Sequence, residues 1–397
     1  MSSQLKVNSI SDAAGANGNA ITLATDGTCT AKVTNNLSNR NLIINGAMQI
    51  AQRSTSANAP SSGYATLDRW KFQINNGTIT TSQGSTATTD VPYKEGHRNY
   101  LRLLNQSGVG AANNQYIQTD YHIEAKNIAN SGWDYVNSNS KITLSFWVRS
   151  SIAQKFQGFL LSQDGTQYIH PFEISNNGSN LTANTWTKVT KTFGGNSNLT
   201  INNDNGSGLR VSFAPIYGTN FTDNSISLTD WTAISGGTYC RDITTTWATT
   251  TNATFDVTGV QLEVGDVATD FEHISYSDEL ARCQRYFYRH VLGSWNSNGK
   301  ASITDNGSMY NATLCFLTVP LPVTMRTDPA LGTSNSSDYY LAYVNSVSAT
   351  FDTWSLDGVS TKNCLTINAT IPSVTAGASA LVRTDHADAY LDAIAEL

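Results

Sequence analysis

Residues 259–289 read GVQLEVGDVATDFEHISYSDELARCQRYFYR, a stretch in which a strand pattern gives way to a helix pattern. In its first part, Val260, Leu262 and Val264 alternate with polar side chains, which is the period of a half-buried β-strand. Gly265 then interrupts the alternation. We predict that this strand closes one sheet and that the following helix leads the chain into the next unit.

The helix signal begins at Ser277, whose hydroxyl is a candidate N-cap. Asp278 and Glu279 follow in the first turn, where the helix macrodipole favours negative charge. Further side chains recur at helical spacing, at Leu280, at Cys283 or Gln284, and at Phe287. The pattern therefore predicts a short helix within residues 276–289.

The same stretch resembles the junction found in many bacteriophage tail-fibre and other virion-surface proteins. In those proteins a β-sandwich like a carbohydrate-binding module ends in VQLEVG…ATxFE and continues into ELxxCQRYY. Residues 41–53, NLIINGAMQIAQR, followed by Tyr64 and by DRW at 68–70, resemble the opening of that sandwich, INGxxxxxQR…YxxDRW. The two strings match in order and spacing, so the resemblance covers about residues 41–289.

The resemblance and the strand patterns together predict an all-β protein built on an antiparallel jelly-roll sandwich. Within ITLSFWVR at 142–149, apolar side chains on one face alternate with a mixed face, as in antiparallel sheets packed face to face. We expect four segments: an assembly arm at 1–40, the sandwich at 41–275, the linker helix at 276–289 and a β-rich tip at 290–397.

The two ends of the chain predict an assembly arm and an amphipathic helix. Short alternating strands in residues 1–40 contain too few apolar side chains to form a core alone, so we expect them to anchor the protein within a homotrimer. The final residues show helical spacing after Asp385, which predicts an amphipathic helix. Its apolar stripe comprises Ala387, Tyr390, Leu391, Ile394 and Leu397.

Composition limits the function. Only 14% of the 397 residues are charged, against roughly 25% in an average soluble protein, and the net charge is −6. That charge argues against a broad basic surface for nucleic acid. We find no apolar run long enough to insert in a membrane, and residues 1–18 lack the apolar core of a secretion signal. We therefore expect synthesis in a host cytoplasm and a final place on the virion surface.

The cysteines and histidines form no recognisable disulfide, metal-binding or catalytic motif in the sequence. Five cysteines at wide spacing, without a CxxC motif, predict neither disulfides nor zinc binding but buried thiols. The six histidines include no metal-binding pair such as HExxH, and no nucleophile elbow or phosphate loop is present. We predict no catalytic residue, no bound metal and no cofactor. Calcium binding through Asp68 or Asp256 is the one exception that stays open.

Aromatic side chains are the candidate binding residues. The chain has 8 Trp and 17 Tyr, and flat rings suit the apolar faces of sugars. Five of them lie in turn-rich surroundings and form the predicted glycan site: Trp133, Trp231, Trp295, Tyr339 and Tyr340. The alternative for each ring is that it covers the core from a loop, because large aromatic side chains are mostly buried.

The resemblance thus implies a phage structural protein, either a tail fibre or a receptor-binding component, that attaches the particle to host-surface glycans without catalysis. Its partners would be other virion proteins and a host glycan. A head-fibre, decoration or baseplate-type protein is the first alternative. A polysaccharide depolymerase is the second, and it would require two of the sparse carboxylates to face each other across a cleft. Those carboxylates include Asp134, Asp164, Glu173, Asp242 and Glu263.

Overall fold

A computed structural model describes residues 9–11, 19–23, 29–31, 39–108, 112–293, 300–372 and 374–397. Within them the protein is all-β, as predicted, with antiparallel sheets and a few short helices. None of these helices is long and apolar enough to cross a membrane. The helices are α1 (Val91–Lys94), α2 (Ala125–Ala129), α3 (Thr246–Thr249) and α4 (Tyr276–Gln284), with a 3-10 turn at Thr219–Phe221.

The strands before α4 form the small N-terminal sheet and the sandwich. They are β1 (Ser9–Ser11), β2 (Asn19–Leu23), β3 (Cys29–Ala31), β4 (Ser56–Asn58), β5 (Trp70–Asn75), β6 (Ile79–Ser85), β7 (Asn99–Asn105), β8 (Tyr116–Glu124), β9 (Lys141–Ser150), β10 (Phe156–Ser162), β11 (Tyr168–Ile174), β12 (Thr187–Gly194), β13 (Ser207–Tyr217), β14 (Thr232–Ala233) and β15 (Thr254–Val264).

The strands after α4 belong to the C-terminal sheets. They are β16 (Phe287–Leu292), β17 (Ser302–Met309), β18 (Leu314–Pro320), β19 (Ala330–Thr333), β20 (Tyr340–Val344), β21 (Val347–Phe351), β22 (Ser355–Leu356), β23 (Cys364–Thr370), β24 (Ser379–Thr384) and β25 (Tyr390–Ile394).

Two six-stranded sheets make the sandwich. The front sheet has the order β14-β11-β10-β13-β8-β5, and the back sheet has the order β12-β9-β15-β7-β6-β4. Their inner faces share an aromatic core in which the ring of Phe146 lies 4.8 Å from that of Phe213 and 6.3 Å from that of Phe172. The alternating pattern of β9 places Phe146 in this core because successive side chains of a strand point to opposite faces.

The outer faces of the sandwich are also largely covered. On the back sheet, Trp147, Tyr100 and Trp186 form a separate buried cluster. On the front sheet, every residue of β10 is buried, since the long connection between β13 and β15 folds over that strand. Because both faces of β10 are covered, both of its alternating sets of side chains are buried.

Helix α4 differs from the prediction at both ends. Its N-cap is Ser275, not Ser277: the Ser275 hydroxyl oxygen accepts a 3.2 Å hydrogen bond from the backbone N–H of Asp278. Asp278 and Glu279 do lie in the first turn. The helix ends at Gln284, and Phe287 begins strand β16, where pairing with β25 overrides the helical spacing of the sequence.

The amphipathic helix predicted after Asp385 is wrong. Residues Tyr390–Ile394 form strand β25, which lies between β16 and β19 in a three-stranded sheet. Leu391 and Ala393 are fully buried there, and Asp392 forms an ion pair with Arg289 of β16. Two neighbouring strands supply hydrogen bonds along both edges of this segment, and that tertiary pairing outweighs its local periodicity.

A seven-stranded sheet, of order β21-β20-β24-β17-β18-β23-β22, completes the C-terminal part and shares a second hydrophobic core with the three-stranded sheet. Glu396 ties this part to the sandwich through Arg69 at 2.6 Å and Arg53 at 3.2 Å. The Tyr64 hydroxyl adds a 2.8 Å hydrogen bond to the carbonyl of Leu397. The C-terminal sheets are therefore fastened to the front sheet by a buried polar contact.

The buried-thiol prediction is confirmed at three cysteines. Cys240, Cys283 and Cys315 are free and buried, and Cys364 is free and half-buried. Residues of the N-terminal arm form the three-stranded sheet β1-β2-β3, and its role in a homotrimer stays a prediction.

Candidate functional site

The outer face of the front sheet carries a row of polar side chains. Strand β8 presents Tyr116, Gln118, Asp120 and His122 on this face, two residues apart, because successive side chains of a strand alternate. Strand β13 places Ser212 directly opposite Asp120. Such a row is unusual on a face that is mostly buried, where each polar group needs a hydrogen-bond partner.

Asp120 is the centre of this row. Its carboxylate is fully buried and accepts hydrogen bonds from Ser212 Oγ at 2.6 Å, Gln118 Nε2 at 2.8 Å and Gln73 Nε2 at 2.5 Å. The three donors stabilise the charge, and in return the carboxylate fixes both amide groups. The floor of the site is therefore an ordered set of amide and hydroxyl groups.

Aromatic rings form the walls beside this floor. Tyr217 and Tyr239 stack with their centroids 5.5 Å apart at 18°. Tyr116 meets Phe221 edge to face at 5.5 Å. Burial raises the pKa of the Tyr217 hydroxyl well above its ordinary value, so this group stays protonated and donates a hydrogen bond to Gln118 Oε1.

The connection between β13 and β15 holds Phe221 and Tyr239 in place. The N–H of Tyr239 donates to the carbonyl of Phe221 at 2.9 Å. Asp242 accepts hydrogen bonds from Thr222 Oγ1 at 2.5 Å and from Asn224 Nδ2 at 2.7 Å. These contacts join residues 221–224 to residues 239–242, which stabilises the positions of the Phe221 and Tyr239 rings.

Gly218 allows the connection to leave the sheet. A Cβ at this position would lie 2.3 Å from the carbonyl oxygens of Ala112 and Asn113, a distance that real Cβ atoms do not adopt. The N–H of Gly218 also donates to the carbonyl of Gln115 at 2.7 Å. Only glycine fits this close approach without displacing the backbone beside the site.

Arg210 completes the site from β13. Its guanidinium lies 5.0 Å from the centroid of Phe159 and 5.9 Å from that of Tyr239. Among the described residues, the buried Arg210 Nε has no hydrogen-bond partner. His122, directly opposite Arg210, is likewise buried with an unpartnered Nε2.

The resulting groove has a volume of about 220 Å³. It is lined by Gln73, Tyr116, Gln118, Arg210, Tyr217, Phe221 and Tyr239. Ordinary ligand pockets measure about 300–1,000 Å³, so this one suits a group about the size of a single ring. Ring faces beside fixed hydrogen-bonding groups can bind a molecule that is apolar on one side and rich in hydroxyls at its rim.

The groove is lined by residues other than those that the sequence predicted for glycan binding. Trp133, Trp231 and Tyr340 are 3%, 5% and 0% exposed, so the glycan-binding role predicted for them needs correction. Each ring fills a core, and each polar atom is bound internally: Trp133 Nε1 to the Ser140 carbonyl, Trp231 Nε1 to the Gly194 carbonyl and the Tyr340 hydroxyl to the Tyr390 carbonyl. An aromatic ring in a turn-rich segment can therefore still be buried in the core.

Two predicted residues remain. Tyr339 is half-buried, and its ring stacks on His386 with centroids 4.3 Å apart at 6°, so one ring face is already occupied. Trp295 lies outside the described residues. Tyr339 does not line the groove on the front sheet.

Sequence reasoning missed Tyr116, Tyr217, Phe221 and Tyr239. One signal was available: Tyr116, Gln118 and Asp120 recur at every second position, which places an aromatic, an amide and a carboxylate on one face of a strand. The pairing of that face with Arg210 and with the connection after β13 is not visible in a local pattern.

The two acidic residues considered for calcium are engaged in structural contacts. Asp256 is fully buried and accepts hydrogen bonds from the guanidinium groups of Arg102 and Arg149, at 2.8–3.0 Å. Asp68 is bound by Gln52, and burial raises the pKa of its carboxyl to about 6. In the part of the chain that the structure describes, no three His, Cys, Asp or Glu side chains are grouped to hold a metal ion.

Four of the five carboxylates considered for a depolymerase have separate partners. Asp242 braces the connection after β13, and Asp164 binds the backbone and side chain of Asn202. Glu173 pairs with Lys155 at 3.1 Å. Glu263 is buried and accepts hydrogen bonds from Thr269, in keeping with the structural role that its strand motif suggests. Among the described residues, the carboxylate of the exposed Asp134 has no such partner.

No protein-family model and no curated protein matches the sequence. Solved structures that match parts of the chain include carbohydrate-binding modules. A CBM4 module shares 12% identity at a TM-score of 0.27, covering 56% of this chain and 98% of its own. A protein from Bacteroides thetaiotaomicron described as sugar-binding shares 13% identity at 0.27, covering 57% and 100%.

A third match is TmCBM61, solved in complex with β-1,4-galactotriose, with 6% identity and a TM-score of 0.28 over 57% of this chain and 99% of that module. This chain is thus similar in part to antiparallel β-sandwich modules that include sugar-binding proteins. At these TM-scores the similarity carries no argument about function, which must be judged from the groove itself.

Proposed function

We propose that this chain is a non-catalytic glycan-binding adhesin and that the groove on the front sheet holds one sugar ring. One observation carries the proposal: the half-buried rings of Tyr116, Phe221 and Tyr239 stand beside amide groups that the buried Asp120 holds in position. A sugar ring has an apolar face of C–H groups and a rim of hydroxyls. The aromatic wall suits the face, and the ordered floor suits the rim.

The size of the groove favours weak binding by each copy. A cavity of about 220 Å³ accommodates one residue of a longer glycan, so few contacts form per site. Adhesion then requires several copies on one particle, because linked sites gain avidity through a high effective concentration. A homotrimer assembled through the N-terminal arm would supply such copies.

We further propose that the adhesin is a phage virion protein, a tail fibre or receptor-binding component. The sequence strings at 41–53 and 259–289, which resemble the opening and the end of a phage sandwich, support this proposal. Other virion proteins and a host-surface glycan would be its partners, and the virion surface its location. The engagement of four of the five candidate carboxylates in structural contacts is in keeping with adhesion without bond cleavage.

The test is a titration of the full chain with a panel of bacterial-surface oligosaccharides, by calorimetry or affinity electrophoresis. We expect Tyr239→Ala to weaken binding about 3- to 10-fold, since an aromatic contact contributes about 0.5–1.5 kcal/mol beyond burial. The matched control is Tyr310→Ala, whose side chain is 75% exposed in the C-terminal part and far from the groove in sequence. Thermal unfolding of both variants controls for folding.

Two results would overturn the proposal. Release of shorter oligosaccharides by the wild-type chain would show a depolymerase. If no oligosaccharide of the panel binds the chain, and Tyr239→Ala leaves adsorption of the particle to host cells unchanged, the alternative is favoured. That alternative is a head-fibre, decoration or baseplate protein bound mainly to other virion proteins.

A further inference from the structure

Arg210 is a cation without an acidic partner. Among the described residues no Asp or Glu forms an ion pair with its guanidinium. By contrast, the half-buried Arg102 and Arg149 of the sandwich are paired with Asp256. A buried donor that is left unsatisfied costs about 1–3 kcal/mol. The Arg210 Nε is such a donor, and it belongs to a side chain that lines the groove.

The surroundings of Arg210 hold the guanidinium in place without neutralising it. Phe159 and Tyr239 contact it through their rings, at 5.0 and 5.9 Å from the centroids. Opposite it on β8, His122 is buried, and burial together with the charges of Arg210 and Lys71 lowers the pKa of its imidazole well below the ordinary value. His122 is therefore neutral near pH 7 and adds no charge, while its Nε2 lacks a partner.

The one carboxylate at the floor does not compensate Arg210. Asp120 is fully buried, and its oxygens accept hydrogen bonds from Ser212, Gln118 and Gln73. Lys71 lies directly opposite Asp120 on β5, and it too forms no ion pair with a described acidic residue. Around Asp120 this face therefore carries Arg210 and Lys71 against one internally satisfied carboxylate, while Glu124, further along β8, is paired with Arg285.

We propose that the groove selects sugars that bear a carboxylate, as uronic acid residues do, and that Arg210 binds this carboxylate. The inference rests on the proposed glycan-binding function and specifies its ligand. A guanidinium is a planar fork of N–H donors that matches the two oxygens of a carboxylate, and charge-assisted hydrogen bonds are about twice as strong as neutral ones. The terminal N–H groups of the half-buried side chain would make these bonds, because the Nε itself is buried.

The net charge of −6 does not contradict an acidic ligand. At physiological salt the Debye length is about 8 Å, so distant surface charges are largely screened. The half-buried Arg210 lies within the groove itself, where screening is weaker. The local charge therefore decides which ligand is favoured.

The test compares a uronic-acid oligosaccharide with its carboxyl-reduced counterpart, which has the same backbone and no charge. We expect the full-length chain to bind the carboxylated sugar about 10-fold more tightly or better, as hydrogen bonds to charged groups predict. Arg210→Met should abolish this preference while binding of the reduced sugar persists. Arg210→Lys, which keeps the charge but loses the fork, should retain only part of it.

The matched control is Arg383→Met. Arg383 lies on β24 of the C-terminal part, its Nε also lacks a partner, and its guanidinium lies 5.5 Å from the ring of Tyr343. This substitution removes an equivalent arginine outside the groove and should leave the preference unchanged.

The outcomes separate this inference from the function on which it rests. Equal affinity for both sugars, with Tyr239→Ala still weakening binding, overturns the carboxylate inference alone. A sulfated counterpart that binds more tightly than the carboxylated sugar overturns it as well. If neither sugar nor any other glycan of the panel binds, both proposals fail. If Arg210→Met does not fold, Arg210→Lys serves as the test. A preference for the carboxylated sugar that is unchanged in Arg210→Lys would then overturn the inference.

Discussion

Ser212 donates a 2.6 Å hydrogen bond to the carboxylate of Asp120, although the two residues are 92 positions apart in the sequence. The bond joins neighbouring strands β13 and β8 on the outer face of the front sheet. Gln118 and Gln73 donate to the second oxygen of the same carboxylate. One buried charge therefore orders the floor of the candidate site.

Replacing Asp120 with Asn should destabilise the sandwich and disorder that floor. The amide removes the charge and places an NH2 group against donors, which leaves at least one of them unsatisfied at about 1–3 kcal/mol. Urea unfolding followed by tryptophan fluorescence measures the loss. Asp388→Asn is the control, because the Asp388 side chain is 81% exposed. Equal stability of the two variants would show that Asp120 does not anchor the network.

Replacing Glu396 with Ala should loosen the C-terminal sheets from the sandwich. Arg69 is 1% exposed and pairs with Glu396 at 2.6 Å, and removal of one partner of a buried pair costs about 3–5 kcal/mol. Urea unfolding and the rate of limited proteolysis measure the effect. The control is Glu173→Ala, which breaks the partly exposed pair with Lys155 and should cost under about 1 kcal/mol. Similar losses in both variants would contradict a buried fastening contact.

The stability of the protein should fall as the pH drops below 6.5, in part because of His97. This side chain is 1% exposed, and burial, assisted by His273, lowers the pKa of its imidazole to about 4. Between that pKa and the unfolded value of about 6.5, the unfolded chain binds a proton that the folded chain does not. The contribution of His97 is thus complete above pH 6.5 and is lost by about 2 kcal/mol at pH 5.

Urea unfolding at pH 7 and pH 5 tests this prediction. His97→Gln should show a smaller loss of unfolding free energy between the two pH values than the wild type. His386→Gln should match the wild type, because His386 is a half-exposed side chain in the C-terminal part. An unchanged pH dependence in His97→Gln would exclude His97 as the source.

Ser275→Ala should destabilise helix α4, whereas Ser277→Ala should have little effect. The Ser275 hydroxyl is the cap that accepts from the N–H of Asp278, and loss of an N-cap typically costs about 1 kcal/mol. The two serines are equally small and only two positions apart, so each controls for the other. A larger loss in Ser277→Ala, measured by urea unfolding, would restore the cap that the sequence suggested.

Local patterns predicted those features that depend on local geometry. The alternation in β9 predicted a strand because successive side chains of a strand point to opposite faces. The acidic first turn predicted the start of α4 to within two residues. The same reasoning failed at residues 390–394, where helical spacing is real but strands β16 and β19 hydrogen-bond to both edges of the segment.

The sequence by itself determined half-buried strands followed by a capped helix, since strand period and capping depend on neighbouring residues, and its resemblance to phage proteins implied the sandwich. Only the tertiary structure decided which aromatic rings are available. Trp133 and Trp231 entered the core, while Tyr116 and Tyr239 remained half-buried beside the groove. The physical reason is that the groove is assembled from β5, β8, β13 and a distant connection, so its contacts depend on strand pairing that no local pattern encodes.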